Sequence, residues 1–430
     1  MKFIPKVETA RFDEFVRRHP TKSHFMQSAA WGELSEKQKG LIPEYVGMED
    51  ENGELVAAAL LLGRRPTGFP LYYYCPRGPV LDYQNRALLF EFLGAIRDFA
   101  KGRRAMFVKF DPDIALRYIL DDGSTDPAGP NNSALIDELK AFGCIHMGFN
   151  REFEGRQPRY TFRIDLTPDD ADIDRRFTGN LLKNVKKSRR YACEVTHGTS
   201  ADVKELHRLI GITSERDDFV GYGEDYYQSF FDILSSHNMA TLYLGRVYPA
   251  KTVENLRAEL AALLQKRMQL KKEGPLHESE LSEQRLLREI ETFEKYAAEF
   301  PDGATISAHL VVRYGDKAWA VHAGSDKRMS ETFINNRVYY EKIHEAKASG
   351  ALLLDQFGTV GDPENSHLRS LHEFKKQFGG RYIEFIGEFD IPTRPAWRWL
   401  YARALPLYRR ARISLKLALR RNHGAKDGNS

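Results

Sequence analysis

Between Thr252 and Phe300 the chain is built mostly from Leu, Glu, Lys, Arg, Gln and Ala, and its apolar residues fall at helical spacing. Leu256, Leu260, Leu263, Leu264 and Leu270 follow one stripe; after Gly274-Pro275 the pattern resumes with Leu286, Leu287, Ile290, Phe293 and Tyr296. Gly-Pro interrupts a helix. The pattern therefore predicts two helices of about 20 residues joined at that dipeptide, an antiparallel coiled-coil hairpin with arms about 30 Å long. So thin an arm holds no core of its own, so it is an insertion, and the segments on either side belong to one body. Dimerisation, spacing and a grip on an extended partner such as tRNA are all open to it. Its mixed charge argues against the last.

The flanking segments alternate strand and helix patterns, which predicts an α/β (α+β) chain of two similar units. In residues 1–155, Pro43–Gly47 and Leu55–Leu62 read as strands parted by the Glu51-Asn52-Gly53 turn, and Leu71–Cys75 and Ala105–Phe110 as further strands. Ala10–His19 and Arg86–Lys101 read as helices, the latter with Leu88, Phe92, Ile96 and Phe99 on one face. Asp121–Asn132 reads as a loop. Residues 156–395 restart the pattern. Ile173–Arg190 reads as one basic helix, Met239–Val247, Ala304–Tyr314 and Leu352–Phe357 as strands, and 252–300 as the interruption. Residues 396–430 form a basic amphipathic tail.

The charge of +4 is modest but unevenly placed. Lys183, Lys186, Lys187, Arg189 and Arg190 form one cluster, and a run of arginines after Ile391 contains no acid before Asp427. Such patches favour nucleic acid or an anionic membrane, or are solvated helix faces. Three scattered cysteines, Cys75, Cys144 and Cys193, suit a reducing cytosol and argue against a disulfide framework or zinc site. The longest apolar run, Leu55–Leu62, is too short to span a bilayer, and the N-terminus lacks a secretory h-region. The expected location is the cytoplasm, with peripheral contact at the inner membrane face. No nucleophile elbow, HExxH, P-loop or dinucleotide fingerprint is present.

Six short segments carry a resemblance, in order. They are Phe25-Met26-Gln27-Ser28 with Trp31-Gly32; Pro76-Arg77-Gly78-Pro79-Val80-Leu81-Asp82-Tyr83; Phe110-Asp111-Pro112; Gln157-Pro158-Arg159; Ala323-Gly324-Ser325; and Leu371-His372-Glu373-Phe374-Lys375. Together they resemble the FemABX family of peptidoglycan-bridge aminoacyltransferases, and an inserted helical hairpin is typical of its FemA- and MurM-like members. The resemblance implies two acetyltransferase-like (GNAT) domains. It also implies aminoacyl-tRNA as co-substrate and a peptidoglycan precursor, usually lipid II, as acceptor. No metal or other cofactor is implied, because ester-to-amide transfer is downhill and needs only a held, deprotonated amine and a stabilised oxyanion.

On that resemblance Asp111 positions the acceptor or takes the amine proton; otherwise it is a turn residue before Pro112. Lys375 stabilises the developing oxyanion or the leaving ribose oxygen; otherwise it is a solvated helix lysine, and Lys376 beside it clouds the assignment. Phe374 contributes its backbone carbonyl, its side chain being core. Tyr226 contacts the acceptor or packs on a helix. The family's acceptor-site Lys is Ser35 here, with Lys37 as substitute; a family Tyr is Met106, an Arg is Tyr222 and another Tyr is His322. Arg77 and Lys109 are alternative anion contacts. Trp397–Arg421 has the make-up of an interfacial membrane segment. The readings to be separated are this aminoacyltransferase, a GNAT-like acyltransferase with another acyl donor for lipid or exopolysaccharide synthesis, and a non-enzymatic coiled-coil adaptor.

Overall fold

The apolar run Leu55–Leu62 becomes the strand Leu55–Arg64, buried almost throughout. It sits inside an eight-stranded sheet whose order is Lys2–Ile4, Ile42–Glu49, Leu55–Arg64, Tyr72–Cys75, Phe107–Phe110, Phe389–Pro392 and Ile145–His146, with Val80–Leu81 paired onto Leu55–Arg64. The amphipathic helix Arg86–Gly102 buries Leu88, Leu89, Phe92, Leu93 and Ile96, and the Asn85 side chain caps it by accepting from Leu88 N at 3.0 Å. Each of those side chains contributes roughly 1.5–3 kcal/mol by leaving water. The computed structural model describes residues 1–217 and 219–404. The tail beyond Ala404, with most of its basic and apolar residues, lies outside the described residues; Pro395–Ala404 is helical.

A second unit has its own eight-stranded sheet, ordered Cys193–Gly198, Ala240–Val247, Ala304–Tyr314, Lys317–Ser325, Leu353–Asp355, Tyr160–Asp165, Arg381–Phe385 and Ala115–Ile119. Its pairings are antiparallel except between Lys317–Ser325 and Leu353–Asp355. That parallel pairing covers only residues 317–319 and 353–355. Beyond those residues the two strands share no ladder pairing. Both units are thus α/β layers, each a sheet of eight strands with helices packed on it.

A single cut at 155/156, expected from sequence, does not divide the chain. One unit comprises 1–114, 131–149 and the residues from Ile386; the other comprises 115–130 and 150–385. The reason is strand pairing. Phe389–Pro392 lies between Phe107–Phe110 and Ile145–His146, while Ala115–Ile119 pairs with Arg381–Phe385. The strand at 115–119 and those at 193–198, 381–385 and 389–392 escaped the sequence reading because they are short and interrupt their own alternation.

The hairpin is present, with two corrections. Its helices are Pro249–Arg267 and Glu273–Glu299, so the turn is 268–272 and Gly274-Pro275 sits in the first turn of the second helix. Backbone N–H groups there have no helical acceptor, so proline costs little. The pairs Arg257–Glu294 (2.6 Å) and Arg267–Glu283 fix the antiparallel register. Nor is the base of the hairpin outside the core: Leu256, Leu286, Ile290 and Phe293 are buried in the second unit's main cluster. The expected helix over 173–190 is two, Asp170–Arg176 and Leu181–Ser188, separated at Gly179, whose φ is +62°.

Candidate active site

In the first unit the resemblance segments lock into one another. Gln27 is fully buried; its Oε1 accepts from Leu60 N at 2.8 Å and its Nε2 donates to Pro76 O at 2.7 Å. A Cβ on Gly78 would come within 2.7 Å of both Gln27 and Cys75, so only glycine closes that turn. Ser28 caps the helix Ala29–Lys39, accepting from Trp31 N at 3.1 Å. Arg77 is held in the left-handed region, φ +54°, where a non-glycine residue costs about 1 kcal/mol or more. Its N–H donates to Asp111 Oδ1 at 2.8 Å, and the Tyr74 hydroxyl donates to Asp111 Oδ2 at 3.0 Å.

Asp111 is therefore buried at the end of Phe107–Phe110 and carries the Arg77 turn. Burial lifts its carboxyl to about 7, against the pull of the Arg77 guanidinium and with help from Glu388. Lys109, one residue pair earlier on that strand, spends its charge inside the fold, on Asp390 at 2.8 Å and Glu388 at 3.3 Å. It does not serve as a free anion contact. Lys37 is exposed on the last turn of its helix, and Ser35 beside it is buried.

In the second unit, Gly324 passes beneath the helix Val203–Arg216 so closely that a Cβ would lie 2.4 Å from Ile210 N. Thr213 on that helix accepts from Ser325 N at 3.0 Å. Three sequence-predicted residues converge on the strand before it. The His322 ring is flanked by Tyr226 (6.1 Å between centroids), Tyr222 (6.3 Å), Tyr227 (5.1 Å) and Phe230 (5.2 Å). Tyr222 stacks on Tyr226 at 4.1 Å and is exposed. Burial raises the Tyr226 phenol well above its ordinary range, so it stays protonated and can donate.

Lys375 is buried, whereas Lys376 is at the surface paired with Asp121 at 3.1 Å, which separates the two lysines. All three Lys375 donors are used, on the carbonyls of Gln356 (2.8 Å), Phe357 (2.7 Å) and Gly358 (2.6 Å). Burial pulls its pKa down to about 7 and Asp355 opposes this. The geometry demands the ammonium, because a neutral amine would set its lone pair against the third carbonyl oxygen. Phe374 packs edge-on against Tyr339 (4.9 Å) and Phe378 (5.3 Å), so its side chain is core.

A cavity of about 310 Å³ gathers Ala323–Ser325 with Leu371 and Phe374, two resemblance segments far apart in sequence. His309, Asn335 and Tyr339 also line it, and sequence reasoning missed them. His309 lies inside an apolar strand run and Asn335 at a helix start, so neither stands out by pattern. Ser307 Oγ donates to Asn335 Oδ1 at 2.8 Å, His309 Nε2 lies 3.0 Å from the same oxygen, and Lys342 Nζ meets His309 Nδ1 at 3.0 Å. At the rim, Lys187 sits over Phe333, 5.7 Å from its ring centre, and Phe333 lines the cavity. Lys183, Lys186, Lys187 and Arg189 are exposed, while Arg190 is paired to the hairpin through Glu259 (2.6 Å) and Glu289 (2.8 Å).

The model of the FemAB family matches residues 7–404. Among curated proteins, the lipid II:glycine glycyltransferase of Staphylococcus aureus strain USA300 is 26% identical over 428 residues, covering 95% of this chain and 97% of that protein. A second Staphylococcus aureus lipid II:glycine glycyltransferase is 27% identical over 429 residues, with the same coverage of 95% and 97%. Among solved structures, the crystal structure of FemX superposes with a TM-score of 0.74 at 25% identity, covering 94% of this chain and 99% of that one.

Proposed function

The chain belongs to the FemAB family and is an aminoacyltransferase, and from that premise we propose that it transfers an amino acid from aminoacyl-tRNA to the stem-peptide amine of a lipid-linked peptidoglycan precursor. The observation that carries the reading is the second-unit cavity, where Ala323–Ser325 meet Leu371 and Phe374 of the helix Arg369–Lys376. The nucleophile is an amine and the leaving group a ribose oxygen. Its work is to hold the ester, exclude water and accept a proton.

Lys375, on the helix that lends Leu371 and Phe374 to the cavity, fixes the loop Gln356–Gly358, and its ammonium is the charge that would favour a developing oxyanion without a proton transfer from it. Asp111 positions the Arg77 turn in the first unit for the acceptor. In the second unit, Tyr222, Tyr226 and His322 supply an aromatic, hydrogen-bonding surface for a substrate. The exposed lysines of Leu181–Ser188 supply phosphate contacts for tRNA, which predicts affinity that falls steeply with salt. No helix among the described residues is long and apolar enough to cross a membrane. Trp397, Trp399 and Leu400 are partly exposed on Pro395–Ala404 and are the described part of a peripheral membrane contact.

The test is transfer of labelled amino acid from a mixed aminoacyl-tRNA pool to purified lipid II. Label in the lipid fraction is expected. No label with any aminoacyl-tRNA, on folded protein and with several stem peptides, sinks this reading; label from an acyl-coenzyme A instead moves the chain to the other donor class.

A further inference from the structure

Asn335, Tyr339 and Lys342 stand at helical spacing on one face of Ile334–Ala348, and Ser307 and His309, two residues apart, on one face of the strand Ala304–Tyr314. Where the two faces meet, Asn335 Oδ1 is surrounded by donors. Ser307 Oγ donates to it at 2.8 Å, and His309 Nε2 lies 3.0 Å away. Burial, and then Lys342, hold the His309 pKa well below its ordinary range, so the ring is neutral and carries one proton. A carbonyl oxygen has no proton to give, so that proton is on Nε2 and points at Asn335. His309 Nδ1 is then the acceptor for Lys342 Nζ at 3.0 Å, and an amine and an ammonium alike have a proton for it.

This chain fixes the sense of the asparagine amide. With Oδ1 turned to two donors, Nδ2 faces the other way. Among the described residues it meets no acceptor, yet it is not closed off from solvent, unlike the buried atoms that lack a partner. Asn335 lines the 310 Å³ cavity with Ser325, Leu371 and Phe374, so its two N–H groups open there. It also stands in the first turn of its helix, where backbone N–H groups lack helical acceptors and the helix dipole favours negative charge.

We propose that Asn335 Nδ2 donates a hydrogen bond to the carbonyl oxygen of the aminoacyl ester, with Ser307, His309 and Lys342 as the positioning residues that hold its amide in that sense. This rests on the reading that the donor is an aminoacyl ester. As the neutral amine nitrogen bonds to the carbonyl carbon, the π pair of the carbonyl moves onto its oxygen, and the hydrogen bond from Asn335 strengthens. The pair returns as the bond from that carbon to the ribose oxygen breaks, and the amine proton ends on the ribose oxygen. Asn335 exchanges no proton. Lys375 has all three donors on loop carbonyls and contributes charge through space; Asn335 contributes the direct contact. The linked donors behind it polarise the amide and strengthen its N–H groups.

Three measurements on the full chain decide it. Nitrogen NMR of the histidines, with His309 assigned by the signal lost in His309→Gln, should show the proton on Nε2. A proton on Nδ1 overturns the proposal, because Nδ2 would then turn to His309 and Oδ1 to the cavity. Single-turnover transfer from aminoacyl-tRNA to lipid II should slow about 100-fold in Asn335→Ala and in Asn335→Asp, which keeps the shape and Oδ1 but loses both N–H groups. Folded variants with the wild-type rate overturn it. Infrared spectra of an amide-linked aminoacyl-tRNA analogue carrying a carbon-13 carbonyl should show a lower stretching frequency bound to wild type than bound to Asn335→Ala. Equal frequencies overturn the proposal even where transfer is slowed, since a purely structural asparagine would not touch the carbonyl. The frequency shift without transfer to lipid II supports Asn335 and sinks only the acceptor reading. A wild type that binds no such analogue overturns the donor reading and the Asn335 contact with it.

Discussion

Lys375 spends its three donors on carbonyls in a loop where Phe357 holds φ at +52°. Removing the ammonium leaves three buried acceptors, at about 1 kcal/mol or more each. Lys375→Met should therefore destabilise the second unit by about 3 kcal/mol. A melting temperature equal to wild type would show that the ammonium does not anchor the loop, and any loss of transfer would then be chemical. Gly324→Ala tests the neighbouring helix contact. Its Cβ would meet Ile210 backbone at 2.4 Å, so it should cost about 1–3 kcal/mol and lower transfer. Asp111 carries a pH signature. Its folded pKa of about 7 lies above the ordinary carboxyl value of 3.8, so its contribution is fully present below the lower value and is lost as pH rises through the higher. Urea midpoints across that span should fall more steeply with pH in wild type than in Asp111→Asn, by a total on the order of 4 kcal/mol. Parallel curves would place the carboxyl in water.

The hairpin divides energetically along its length. Leu256, Leu286, Ile290 and Phe293 are core residues, while beyond them the two helices hold each other mainly through partly exposed leucines and surface ion pairs. Phe293→Ala should cost about 3–5 kcal/mol. Replacing residues 262–283 by a short linker should leave the melting temperature within a few degrees of wild type. A large loss on that deletion would mean that the tip is part of the fold. The two basic elements differ in the same way. Arg190 is tied to Glu259 and Glu289, but Lys183, Lys186, Lys187 and Arg189 face solvent, so charge reversal of those four should weaken tRNA binding and flatten its salt dependence without unfolding the unit.

At the scale of the chain, each unit's sheet needs a strand from far along the sequence. Residues 1–155 alone lack Phe389–Pro392, which separates Phe107–Phe110 from Ile145–His146, and their Ala115–Ile119 has no partner. That fragment exposes unpaired apolar edges and should be insoluble or unfolded by circular dichroism. A folded, soluble 1–155 would show that the exchanged strands are dispensable.

The amino-acid sequence determined, without help, whatever depends on neighbours along the chain. Helical spacing marked the inserted hairpin and Arg86–Gly102; an unbroken apolar run marked Leu55–Arg64; and the ordered short segments marked the family, because each is legible as a run of consecutive residues. Tertiary structure decided what depends on residues distant in sequence. It paired Asp111 with the Arg77 turn, consumed the Lys109 charge, caged Lys375 on three carbonyls, and exchanged the strands at 115–119 and 389–392. It also placed His309, Asn335 and Lys342 around one another. A lysine or histidine reads the same in sequence whether solvated or sealed. Only burial and its partners set its protonation, and those come from segments that the chain brings together by folding.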